Sequence, residues 1–99
     1  MIIEYIRYTV PAERAREFSD AYARAGKVLD ADIHCLGCEI SRGIEEPQHW
    51  VVRIQWDSID GHENGFRKAS HFAEFLAAVK PFFSNIEEMK HYQVQPPPG

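Results

Sequence analysis

Ninety-nine residues suffice for one domain with a single core, and 44% hydrophobic with 26% charged residues is the composition of an ordinary soluble globular chain. A net charge of −4 with scattered Lys and Arg argues against a nucleic-acid-binding surface, and no apolar run approaches the roughly 18 residues that a membrane helix needs. The start Met1-Ile2-Ile3-Glu4 lacks the basic and apolar regions of a signal peptide, so a cytoplasmic location is expected, with both cysteines as thiols.

Residues 2–10 are rich in β-branched and aromatic side chains and predict a first strand, with Ile2, Ile6, Tyr8 and Val10 on one face and Ile3 and Tyr5 on the other. Pro11 stops the strand and suits a helix start. From Ala12 to about Ala31, apolar residues at Ala15, Phe18, Tyr22, Ala25 and Leu29 draw one helical stripe. A second strand is expected over about 33–41, a turn at Gly43 to Pro47, and a third strand over 48–57. Trp50, Val52, Ile54 and Trp56 share one face of that third strand.

Asp57 or Ser58 can cap the next helix, which is expected in two pieces at about 59–68 and 70–79, with Phe72, Phe75, Leu76 and Val79 buried and Pro81 closing it. A last strand should span about 86–94, and residues 96–99 form a Pro-rich tail after a single domain of residues 1–95. The order β-α-β-β-α-β predicts an α+β, ferredoxin-like fold with a four-stranded antiparallel sheet. Two helices cover only one sheet face, so a homodimer joined through the other face is the natural arrangement.

Cys35-Leu36-Gly37-Cys38 suggests a redox couple or half a zinc site, but within a strand residues three apart point to opposite faces unless Gly37 marks a bulge. Neither His34 nor His49 completes a closed four-ligand set, and no metal site is expected. His62 and His71 would lie about 180° apart on one straight helix and so could not share a metal from it. Each is either a partly exposed polar helix residue or a neutral imidazole facing a pocket, suited to accept a proton near neutral pH. Trp56, at its strand end, is either core or pocket wall.

Ile54-Gln55-Trp56-Asp57-Ser58, His62, Ser70-His71-Phe72 and Phe75, with Cys35-Leu36-Gly37-Cys38-Glu39 upstream, resemble the antibiotic biosynthesis monooxygenase family, in particular its quinol-oxidising branch. The resemblance covers nearly all of residues 2–95. It implies a dimeric α+β barrel whose best understood members oxidise polycyclic phenols, anthrones or hydroquinones with O₂ and no metal or flavin. Trp56 matches the family's pocket tryptophan, and His71 matches a histidine common in the quinol-oxidising branch. Val52 stands where some members place a pocket asparagine, and His62 where some anthrone oxidisers have a tyrosine. The first strand lacks the asparagine of haem-degrading relatives, which argues against haem degradation.

The resulting expectation is a cofactor-independent oxygenase acting on a small aromatic, quinol-like or polyketide-like molecule and O₂. His71 or His62 would accept the proton, and Trp56, Val52, Tyr5, Tyr22 and Phe72 would contact substrate. The alternative is a non-catalytic ligand-binding or stress-responsive dimer on the same scaffold, favoured by the apolar Val52.

Overall fold

The computed structural model describes residues 1–97. Of the expected tail, positions 98 and 99 lie outside the described residues. The chain forms β1 (Ile2–Thr9), α1 (Ala15–Asp30), β2 (Cys35–Arg42), β3 (His49–Trp56), α2 (Phe72–Val79) and β4 (Ile86–Gln93). The four strands form one sheet in the order β2-β3-β1-β4, every neighbouring pair antiparallel, which is the α+β ferredoxin-like arrangement. Among the described residues no helix is long and apolar enough to cross a membrane.

Pleating sorts the side chains. Ile6 and Tyr8 of β1, and Trp50, Val52, Ile54 and Trp56 of β3, join Phe18, Tyr22, Ala25 and Leu29 of α1 in a common core. Two aromatic clusters anchor it. At one end the Phe18 ring packs against Tyr8, Tyr22, Trp50 and Phe82, with centroids 4.8–5.2 Å away. At the other, Phe66 packs against Trp56, Phe72 and Phe75 at 5.0–5.4 Å. Pairs at these separations add about 0.5–1.5 kcal/mol each beyond area burial. The opposite sheet face carries Tyr5, Arg7, Val51 and Arg53, all half-buried without a helix over them.

Three local departures from the sequence expectation bear on the site. A 3-10 turn (Ala12–Arg14) precedes α1, so the regular helix begins at Ala15. The second helical region is broken more deeply: a π turn (Gly61–Gly65) and a 3-10 turn (Phe66–Lys68) come first, and extended Ala69 separates them from α2. A straight-helix angle between His62 and His71 therefore does not apply.

The third departure concerns the cysteines. Cys35 pairs with Trp56 and Cys38 with Ile54, so β2 takes three steps where β3 takes two, and the register shifts between Cys35 and Gly37. This bulge, the exception that the sequence left open at Gly37, puts both half-buried thiols on the helix-covered face. Burial is the largest cause raising both thiol pKa values, Cys38 to about 12, so both stay protonated at neutral pH.

Candidate active site

The polar joint after β3 builds the site. Ser58 caps the helical region by accepting the Gly61 N–H at its Oγ, 2.9 Å away, as the sequence suggested. Asp57 Oδ2 lies 2.8 Å from His34 Nδ1, and the His34 ring rests against the π turn. A Cβ on Gly65 would come within 2.4 Å of that ring, so the glycine permits the close approach. The turn thereby directs His62 inward, where it is 3% exposed and stacks on Trp56, ring centroids 4.5 Å apart and planes 10° apart.

Beside His62 sits Glu4, a carboxylate in the middle of β1 that faces the helices and is 5% exposed. Trp56 Nε1 donates to Glu4 Oε1 at 3.1 Å, and the same oxygen lies 3.4 Å from His62 Nε2. The other His62 ring nitrogen, Nδ1, is 2.8 Å from His91 Nε2. His91 occupies the β4 position directly opposite Glu4.

A cavity of about 190 Å³ opens between this group and α2. Ile6, Phe66, Phe72, Phe75, Leu76 and Met89 give it apolar walls. Glu4, His62 and Arg67 supply polarity at one end, and Tyr8 and Tyr22, with hydroxyls 2.5 Å apart, at another. Burial pushes the Glu4 carboxyl pKa up, against the opposing influence of the Trp56 N–H and the His91 and Arg67 charges. Burial also pushes His62 down to about 4, helped by repulsion from Arg67 and His91, so this imidazole is neutral at pH 7. Burial again raises the tyrosine pKa values, that of Tyr8 to about 12, which keeps both hydroxyls as hydrogen-bond donors. The arrangement can accept a proton from a bound acid and offers a cation, Arg67, for the anion left behind.

The antibiotic biosynthesis monooxygenase family matches the chain over residues 1–78. The chain belongs to that family. A crystal structure provisionally named an antibiotic biosynthesis monooxygenase, from Bordetella bronchiseptica, is 26% identical, with a TM-score of 0.81 over 95% of this chain and 96% of that one. SnoaB, a cofactor-independent oxygenase from Streptomyces nogalater, shares the fold at 15% identity, with a TM-score of 0.79 over 97% of this chain and 94% of its own. The uncharacterized protein YczJ of Bacillus subtilis is 24% identical over 78 residues, 79% of this chain and 82% of its own length.

Within the family scaffold, the residues singled out from sequence fall in different places. His62, Tyr22 and Phe72 line the cavity. Trp56 is fully buried behind His62, where its indole holds Glu4 instead of forming the wall. Val52 is fully buried in the core and is not a cavity residue, so its apolar character does not set the cavity's polarity. Tyr5 points to the opposite sheet face, edge-on to Tyr92 at 5.8 Å. His71 turns away from the cavity: its Nε2 lies 2.7 Å from Asp32 Oδ2, tying the end of α1 to the start of α2.

Sequence reasoning missed Glu4, Arg67 and His91. For Glu4 a signal existed, since a lone carboxylate interrupts the apolar face Ile2, Ile6, Tyr8, Val10. His91 had none, because only strand register brings it opposite Glu4.

Proposed function

We propose that the protein is a cofactor-independent monooxygenase that oxidises a small electron-rich hydroxyaromatic with O₂. The observation that carries this reading is the Glu4 carboxylate beside a neutral His62 at the polar end of an aromatic-walled cavity. Family membership and a fold shared with a cofactor-independent oxygenase support it.

The substrate's phenolic or enolic proton passes to Glu4. Burial makes that carboxylate a stronger base than an exposed one. The oxyanion left behind faces Arg67, and the apolar walls keep out water that would otherwise compete for the charge. The anion gives one electron to O₂, forming a substrate radical and superoxide, which join in a C–O bond. The peroxide takes the stored proton and loses water across its C–H bond, so one oxygen atom becomes a product carbonyl and the other leaves as water. Tyr22 and Tyr8 offer a hydroxyl donor to a second oxygen on the ring system.

Incubation with panels of hydroquinones and anthrones tests the reading. Oxygen uptake and one ¹⁸O atom from ¹⁸O₂ in the product are expected. Identical products with and without air would overturn it. Ligand-induced thermal stabilisation without turnover would instead favour the binding-protein alternative.

The uncovered sheet face supports a homodimer, because Tyr5, Tyr92 and Val51 lie there without a helix over them. Sedimentation at micromolar concentration should give a dimer, and a clean monomer would exclude it.

A further inference from the structure

We infer that the cavity's proton acceptor is a three-membered chain, Glu4–His62–His91, and that the proton taken up at Glu4 comes to rest on His91. His62 Nε2 lies 3.4 Å from Glu4 Oε1, near it but short of a hydrogen bond, and His62 Nδ1 is hydrogen-bonded to His91 Nε2 at 2.8 Å. An imidazole placed this way accepts at one nitrogen while it releases at the other. The longer first contact has to close by a few tenths of an ångström, as catalytic hydrogen bonds commonly do when substrate binds.

The transfer balances without a net charge on His62. The Glu4 O–H and His62 Nδ1–H bonds break, and N–H bonds form at His62 Nε2 and His91 Nε2. The carboxylate is regenerated, His62 changes tautomer, and the positive charge appears on His91; no electron moves. Running the chain backwards returns the proton to the cavity.

Solvation decides where the charge rests. The His62 side chain is 4% exposed and has the Arg67 cation nearby, so an imidazolium there is doubly disfavoured. His91 is half-buried on β4, an edge strand of the sheet among the described residues, and is more exposed than His62. The charged groups acting on the chain are Arg67 from the 3-10 turn and Asp32 from the segment after α1. Tyr8 of β1, Tyr22 of α1 and Cys35 and Cys38 of β2 are the neutral titratable groups within reach of the Glu4 charge. Glu4 is the carboxylate directly across the sheet from His91.

This inference rests on the proposed reading for its catalytic consequence, but the tautomer switch is measurable without substrate. In ligand-free protein, ¹⁵N NMR of the ring nitrogens should show His91 titrating while His62 stays neutral. The His62 proton should move from Nδ1 to Nε2 in step, because a protonated His91 must donate to His62 Nδ1. His91→Gln keeps a hydrogen-bonding group but cannot carry the proton, and it should abolish the switch. With a substrate that consumes O₂, His91→Gln should lower kcat on the order of 100-fold with KM nearly unchanged, and remove the acidic limb due to His91. A His62 tautomer indifferent to His91 titration, or a His91→Gln enzyme with wild-type kcat and pH profile, overturns the inference. Absence of O₂ uptake by the wild-type protein overturns the oxygenase reading, and the NMR titration then decides this one.

Discussion

Two of the molecule's histidine–carboxylate pairs, Glu4–His62 and Asp57–His34, have their protonation driven in opposite directions. In the cavity, Glu4 and His62 are almost fully buried, and desolvation dominates both: the carboxyl pKa goes up and the imidazole goes down to about 4. At the rim of the π turn, His34 and Asp57 keep about a third or more of their side chains exposed and lie 2.8 Å apart. There the hydrogen bond is the largest cause, raising His34 and lowering Asp57. Burial favours the neutral forms inside, and contact favours the ion pair outside. The outer pair holds the turn that carries His62, while the inner pair stands ready to take a proton.

Glu4→Gln should have the largest effect. On the proposed mechanism it removes the first proton acceptor and lowers kcat about 10²–10⁴-fold, read by O₂ uptake. The same variant sharpens the electrostatics. Between about pH 4 and 6.5 the unfolded chain protonates His62 and the folded chain does not, so His62 makes stability rise with pH and lose ground as pH falls. Glu4 acts oppositely, because above 4.5 the folded chain retains a proton that the unfolded chain has released. With Gln at position 4 the rise in unfolding free energy across that window should become steeper, measured by denaturant titration at stepped pH. An unchanged slope would show that the Glu4 carboxyl is not perturbed.

Asp57→Asn should have the smaller effect, confined to the rim. His34, raised above its ordinary 6.5, adds stability that is fully present below 6.5 and lost as pH rises through its folded pKa. Asp57, lowered below 3.8, adds stability present above that value and lost as pH falls through its folded pKa. Asn at position 57 should return the His34 NMR titration to near 6.5 and flatten both dependences. A His34 midpoint that stays high would mean that Asp32 or Asp60, and not the hydrogen-bonded partner, sets it.

The element order was legible because each signal for it is local. The stripe Phe18-Tyr22-Ala25-Leu29, the alternation Trp50-Val52-Ile54-Trp56 and the Ser58 cap all lie within a few residues of the backbone that they specify. The site was only partly legible. Histidines near a strand end drew attention to His62, which lines the cavity, and equally to His71, which has the same local appearance but is tied to Asp32. The cysteine pair shows the same limit, since one extra residue in β2, set by pairing with β3, decides which way both thiols face.

By itself the sequence determined the α+β order, the helix-facing residues of β3 and a plausible family, all encoded in periodicity and short motifs. Tertiary structure alone decided that Glu4 and His91, near opposite ends of the chain, meet across β1 and β4 on either side of His62. It also decided that Trp56 supports that group from behind. The physical reason is that side-chain direction follows from local backbone geometry, whereas proton affinity and adjacency depend on which distant strands pair and which groups their packing removes from water.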